Sequence, residues 1–246
     1  MSAIRAVLTD IEGTTTPIAF VHRVLFPYAR QALPSLVGRR ADEKPVADAL
    51  AEVRRLAPDA DPLTRLLGWM DEDAKIGPLK TLQGLVWRDG YEAGLLKAEI
   101  YPDVSPALRS WTEAGLRIAV YSSGSVEAQH LIFRNGPDGD LTALFDGFFD
   151  TGVGAKRDTN SYRTIAGRLG LPPDEILFLS DVEAELDAAA EAGLRCCQLV
   201  RPEDGTVASS RHPVAPDFAA VAARFGLPAA SSVTPAAVPS AAPTAA

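Results

Sequence analysis

Cysteine is nearly absent from this 246-residue chain. The only two, Cys196 and Cys197, are adjacent. Neighbouring cysteines cannot staple distant segments, and these lie in an apolar run. A buried strand position is expected for them rather than a disulfide or a metal role. Histidine is also scarce. His22, His130 and His212 share no metal-ligand spacing, so they read as structural or surface residues, and only His22 lies close enough in sequence to the first motif to line the inner face of the segment that follows it. No apolar run approaches the ~20 residues needed to span a bilayer. The amino terminus enters a strand pattern at once, without a signal-peptide layout. Basic charge is in deficit. A formal net charge of -8 argues against nucleic acid or an anionic membrane as the main partner. An anionic small substrate stays compatible, because a metal and a few local cations can override the global charge. The expected setting is a reducing, cytoplasmic one. No internal repeat is evident.

The composition itself, 47% hydrophobic with near-zero mean hydropathy, is that of a globular protein. Its most informative stretch is Asp10-Ile11-Glu12-Gly13-Thr14. The apolar run before it, residues 4–8, reads as a buried strand, and Gly13 and Thr14 break it. Both acids thus fall at the carboxyl end of a strand, where open α/β sheets bind ligands. If the strand continues, residues i and i+2 share a face, so Asp10 and Glu12 would converge. Two convergent acids can bind a hard cation, and one can attack an electrophile.

Three later segments resemble that strand: residues 116–121, 176–179 and 195–200. Helical patterns at 126–134, 161–169 and 182–192 separate them, the first capped by Ser125 and the second stopped near Gly170. Such alternation predicts an α/β fold with a mainly parallel sheet flanked by helices. Residues 17–97 differ, with helical patterns at 20–33, 45–56 and 78–96 and no convincing strand. They read as a helical insert over the sheet's carboxyl edge, able to exclude water and contact substrate. From residue 228 the chain turns to Ala, Pro, Ser and Thr. Residues 228–246 lack the large apolar side chains that offset ordering entropy and read as a disordered tail.

Each strand end carries groups suited to an anion or a metal. Ser122 and Ser123 precede Gly124, which lets backbone approach closely, and hydroxyl and amide groups at a helix start bind phosphate oxygens. Lys156, in Gly152-Val153-Gly154-Ala155-Lys156, can neutralise a phosphate. Asp181, with Glu185 following on the helix, brings another carboxylate to the edge that holds Asp10. Like charges that close need a cation, and Mg²⁺ prefers oxygen ligands with water and phosphate.

The order Asp-x-Glu-Gly-Thr, strand–Ser, Lys, strand–Ser-Asp resembles the haloacid dehalogenase-like superfamily. The similarity is closer to the enolase-phosphatases (acireductone synthases) of methionine salvage. It is carried by Asp10-Ile11-Glu12-Gly13-Thr14-Thr15-Thr16-Pro17-Ile18, Pro78-Leu79-Lys80-Thr81-Leu82-Gln83-Gly84, Lys97-Ala98-Glu99, Tyr121-Ser122-Ser123-Gly124-Ser125-Val126-Glu127-Ala128-Gln129 and Phe149-Asp150-Thr151. It covers roughly residues 4–225.

The resemblance implies a Rossmann-like core from residues 1–16 and 98–227, with residues 17–97 as a small helical cap. It implies that Asp10 attacks phosphorus to form an aspartyl-phosphate, and that Glu12 protonates the leaving oxygen and then activates water. Ser122 and Ser123 would bind the substrate phosphate, and Lys156 would pair with it and with Asp10. One Mg²⁺ per subunit would be held by Asp10, Glu12 and Asp181. The implied substrate is 2,3-diketo-5-methylthiopentyl-1-phosphate, enolised and then dephosphorylated to 1,2-dihydroxy-3-keto-5-methylthiopentene, by a monomer. Lys80, Gln83, Trp87 and Lys97 are the insert's substrate contacts on this reading, although Trp87 at helical spacing from Gln83 also suits packing. Three alternatives stand beside it. One is a phosphatase or phosphomutase for another small phosphate ester. Another is a dehalogenase, which would need neither Glu12 nor Asp181. The last is a binding module that has lost activity.

Overall fold

The computed structural model describes residues 3–230. Its centre is a six-stranded sheet of β1 (Ala6–Thr9), β2 (Arg117–Tyr121), β3 (Gly147–Phe149), β4 (Ile176–Ser180), β5 (Arg195–Leu199) and β6 (Val214–Ala215). The order is β3-β2-β1-β4-β5-β6, and every neighbouring pair is parallel. The inner strands are largely apolar because both faces are covered. Alternate residues serve the two faces. Val7, Val120, Leu177, Leu179, Cys197 and Leu199 enter one core; Ala6, Leu8, Tyr121, Ile176, Phe178 and Cys196 enter the other. The two cysteines therefore face opposite layers, where burial pushes both thiols up to about 12.

Between β1 and β2 the chain runs through helices. They are α1 (Ile18–Phe20), α2 (Phe26–Arg39), α3 (Lys44–Leu56), α4 (Pro62–Asp71), α5 (Gly77–Glu92) and α6 (Val104–Glu113), with a π-helical turn Val21–Leu25 joining the first two. The stretch read as ending at residue 33 instead passes through Pro34 to Arg39. Proline costs a helix one hydrogen bond, but Leu33 and Leu36 are buried on either side of it, so packing overrides local preference. The pattern also missed α4, whose Asp61 cap accepts from Thr64 N at 2.9 Å. Strands β3 and β6 went unread because three and two residues are too few to show alternation. The insert shares one continuous apolar cluster with the sheet, from Val7 and Leu179 through Phe20 and Leu79 to Val53.

The remaining helices are α7 (Val126–Arg134), α8 (Thr159–Leu169), α9 (Glu183–Glu191) and α10 (Phe218–Phe225). Ser125 caps α7 as expected, its Oγ accepting from Ala128 N at 3.3 Å. From the edge strand β3 the chain returns across the sheet to β4, beside β1. The carboxyl ends of β1 and β4 therefore meet where the connections diverge in opposite directions, the place where such sheets form a crevice. Among the described residues no helix is long and apolar enough to cross a membrane.

The sequence-based tail begins too early. Pro228 O accepts from Trp111 Nε1 at 3.1 Å, and Ala229 O accepts from Ser110 Oγ at 2.8 Å; residues 231–246 of that expectation lie outside the described residues. A chain stopped after Leu227 should lose roughly 1–3 kcal/mol relative to one stopped after Ala230. Its melting point should fall by about 2–4 °C for each kcal/mol; calorimetry of the two truncations gives the comparison, and equal midpoints would remove these contacts from the fold's support.

Candidate active site

Asp10 lies one residue beyond β1, not within it. The chain there does not continue as a strand: Thr14, Thr15 and Thr16 all donate their backbone N–H to Ile11 O, and Gly13 N donates to Thr16 O. The expected two-residue convergence of Asp10 and Glu12 on a strand face thus does not apply; the coiled loop brings them together instead. Gly13 makes the coil possible at φ +67°. A Cβ there would lie 2.6 Å from the Asp181 carboxylate, so glycine also leaves room for that acid to lie against the loop.

Asp10, Glu12, Ser122, Ser123, Lys156, Asp181 and Glu185 line one cavity of about 280 Å³, with Ile18, His22 and Val182. The residues expected from the sequence to act in catalysis, phosphate binding and metal binding, Asp10, Glu12, Ser122, Ser123, Lys156 and Asp181, all line it. Asp10 is 5% exposed. Its Oδ1 accepts from Ile11 N and from Lys156 Nζ, both at 2.7 Å. Lys156 Nζ also meets Glu185 Oε2 at 2.6 Å. The Ser180 hydroxyl has one proton, and its shorter contact is with Glu185 Oε2 at 3.0 Å rather than with Asp10 Oδ2 at 3.4 Å. Asp10 Oδ2 is the less engaged oxygen.

The Lys156 loop is fixed through its backbone. Tyr162 Oη donates to Lys156 O at 2.6 Å, Ser161 Oγ to Ala155 O at 2.8 Å, and Tyr121 Oη to Gly154 O at 2.9 Å. Gly154 is at φ +134°, and a Cβ would meet Ser161 Oγ at 2.2 Å. The serine loop is held likewise. Ser122 N donates to Phe149 O, Ser122 Oγ accepts from Gly124 N at 3.2 Å, and the buried Gln129 amide donates to Gly124 O and Phe149 O at 3.0 and 2.9 Å.

Charge is unevenly balanced. Burial pushes the Lys156 ammonium down, but the Asp10 and Glu185 carboxylates and their hydrogen bonds outweigh it and hold its pKa above the ordinary value. Burial, then the Asp10 charge, raises Glu12. Burial, then Asp10 and Glu185, pushes Asp181 up to about 7. Burial, then Asp10, raises Glu185, against the pull of Lys156. Within the cavity one ammonium faces four carboxylates, while Lys75 of the adjoining chamber also acts on Glu12.

A narrower chamber of about 80 Å³ adjoins this cavity, sharing Glu12, Ser122 and Ser123 with it. Its wall is largely apolar and comes mostly from the insert, including Val21, Leu25, Phe26, Trp69, Leu79 and Trp87. Lys80, Gln83 and Trp87 line it; Lys97 is exposed and lines neither cavity. Trp87 also packs, stacked on Phe26 and donating Nε1 to Leu25 O at 2.8 Å. Lys80 Nζ donates to Ser123 O at 2.9 Å, tying α5 to the serine loop. His22 lines the polar cavity, whereas His130 packs on Phe148 and His212 pairs with Asp187. Sequence reasoning gave no role to Glu185 or Gln129. One helical turn between Asp181 and Glu185 was the available signal for the first; for Gln129 there was none beyond its place in the motif.

Oxygen donors alone face the site beside Lys156 and His22, which suits a hard cation. Asp10, Glu12 and Asp181 fit that chemistry, and the packing of Asp181 against Gly13 keeps its carboxylate at the loop. Among the described residues no group of three or more His, Cys, Asp and Glu side chains forms a ready-made metal cage. Mg²⁺ binds with few protein ligands and several waters, so an open donor set is compatible with it.

Comparison with known proteins follows the same line. The haloacid dehalogenase-like hydrolase model matches residues 4–193. An enolase-phosphatase E1 of Gluconacetobacter diazotrophicus is 60% identical over 229 residues, spanning 93% of this chain and 97% of that protein. The enolase-phosphatase E1 of Granulibacter bethesdensis is 58% identical, spanning 93% and 99%. Among solved structures, the UTR4 protein of Saccharomyces cerevisiae has a TM-score of 0.74 at 35% identity, covering 87% of this chain and 98% of that one. With the motif residues gathered in one cavity and relatives matched along nearly their whole length, this chain belongs to the haloacid dehalogenase-like hydrolases and, within them, to the enolase-phosphatase E1 family.

Proposed function

We propose that the protein converts 2,3-diketo-5-methylthiopentyl-1-phosphate to the acireductone 1,2-dihydroxy-3-keto-5-methylthiopentene and phosphate, in methionine salvage. The observation that carries the reading is the junction of the two cavities at Glu12, Ser122 and Ser123. A phosphate can lie at the polar end beside Asp10 while the alkyl part enters the apolar chamber.

Asp10 is the nucleophile. Lys156 and Ile11 N hold its Oδ1, which leaves Oδ2 to form the bond to phosphorus as the ester P–O bond breaks. Glu12, whose pKa burial and then the Asp10 charge raise above the ordinary carboxylate value, gives a proton to the leaving oxygen. It then takes a proton from the water that attacks the aspartyl-phosphate and frees Asp10. Ser122 and Ser123 orient the phosphate, and Lys156 offsets its charge as well as that of Asp10. Asp10, Glu12 and Asp181 would hold one Mg²⁺, which when bound neutralises charge on the phosphoryl group and polarises a neighbouring carbonyl. The insert, residues 17–97, acts as the cap. The enzyme works as a cytoplasmic monomer.

The deciding assay supplies the diketo phosphate with Mg²⁺ and follows enol absorbance and free phosphate together. Both signals are expected, enol first; hydrolysis of a simple phosphate ester without turnover of the diketo compound would leave a phosphatase with another substrate. Asp10→Asn should abolish phosphate release and keep the melting point, and retained turnover would remove Asp10 as nucleophile.

Asp181 prefers its proton in the fold up to about pH 7. Without metal, its contribution to stability is therefore greatest in acid and is lost as pH rises through that value. Mg²⁺ competes with the proton, so it should raise the melting point more at pH 8 than at pH 5, and Asp181→Asn should flatten the difference. A shift equal at both pH values would detach the metal from Asp181. Lys156→Met leaves two buried carboxylates unpaired and should cost about 3–5 kcal/mol. Adding Glu185→Gln should recover part of that stability but none of the activity, as a double-mutant cycle by denaturant melts and phosphate assay would register.

A further inference from the structure

The chain crosses between the sheet and the helical insert twice. The outgoing crossing runs from Glu12 to Ile18, directly after the nucleophile; the returning one leads through Tyr101 to Asp103 at the start of α6. Tyr101 N donates to Thr15 O at 3.0 Å, so the crossings touch. A third segment, just after β5, grips both. Asp204 Oδ1 accepts from Ile18 N at 3.2 Å, where the insert begins, and Asp204 Oδ2 accepts from the Tyr101 hydroxyl. Arg201, 3% exposed, donates Nη2 to Thr14 O at 2.8 Å on the outgoing crossing and Nη1 to Asp103 Oδ1 at 2.9 Å on the returning one. Its guanidinium stacks 4.1 Å from the Tyr101 ring.

We propose that Arg201 and Asp204 are positioning residues that clamp the two crossings and thereby set the insert over the active site. The inference rests on the cap reading above. Thr14 is two residues past Glu12, and the insert side chains lining the chamber are placed relative to Asp10 by these crossings together with the α5 contact with the serine loop and the apolar core shared with α7. A swing of the insert that displaces Ile18 breaks its bond to Asp204 in the segment after β5, and Arg201 holds the two core-side ends of the crossings. A substrate that reaches from phosphate to chamber therefore depends on the clamp. A phosphate ester that occupies only the polar cavity does not.

Asp204→Ala removes both of its bonds, Tyr101→Phe removes one and keeps the stacked ring, and Asp204→Asn keeps an amide within reach of both partners. In the full chain with Mg²⁺, Asp204→Ala should lower kcat/KM for the diketo phosphate by about tenfold or more, while 4-nitrophenyl phosphate hydrolysis changes by less than about twofold. Tyr101→Phe should shift the same ratio less, and Asp204→Asn should restore most of it. Equal losses on both substrates, or unchanged diketo turnover, would overturn the clamp. Hydrogen exchange separates this from failure of the cap reading, since it needs no substrate. Asp204→Ala should speed exchange at residues 14–18 and 98–103 and leave β1 and β4 unchanged; unaltered exchange at both crossings would overturn the proposal whatever the enzyme turns over.

Discussion

A single buried ammonium among four carboxylates is the constraint on which the site depends. Lys156 touches Asp10 and Glu185 directly, and Glu12 and Asp181 face the same cavity. Burying this much like charge is costly unless each group is paired, protonated or bound to a cation. The raised pKa values of Glu12 and Asp181 express that unpaid cost. The same imbalance makes the site useful, because it leaves an acid able to carry a proton and oxygen donors able to take a hard cation.

Holding such a cluster together requires rigid supports, and the sheet provides them. The carboxyl ends of β1 and β4 are adjacent through direct parallel pairing, Thr9 beside Leu179. Asp10 N donates to Leu179 O at 2.8 Å, so the Asp10 backbone is part of that ladder. The loops around it are held by side chains with their own buried partners: Tyr162 and Ser161 under Lys156, Gln129 under the serines, Gln198 donating to Asp181 O at 2.8 Å. Groups held in this way lose little freedom when substrate arrives.

The helical insert supplies most of the chamber's apolar wall, and the shared core explains why it can do so without its own sheet. Its helices bury against one another and against the α6/α7 face of the sheet in one cluster. Its Lys80 reaches the serine loop, while its two crossings are bound to the segment after β5. The apolar chamber and the polar cavity thus meet at Glu12, Ser122 and Ser123, which line both.

Local pattern carried much of this in the sequence. The apolar runs ending in Asp10, Ser122 and Asp181 declared parallel strands with polar ends, and Ser125 and Gly170 marked helix boundaries, because burial periodicity and capping are properties of neighbouring residues. The motif order was enough to place Asp10, Glu12, Ser122, Ser123, Lys156 and Asp181 on a shared edge. What depended on contacts between distant segments was decided only in three dimensions. Pro34 stays helical because Leu33 and Leu36 are buried around it, Glu12 reaches Asp10 through a coil rather than a strand face, and Pro228 and Ala229 dock on α6. Glu185 acquires its partner from a loop 29 positions earlier in the chain, and Arg201 reaches Thr14 across 187. Pairings over such separations leave no periodic trace in sequence, since their geometry exists only once the sheet has brought the strand ends together.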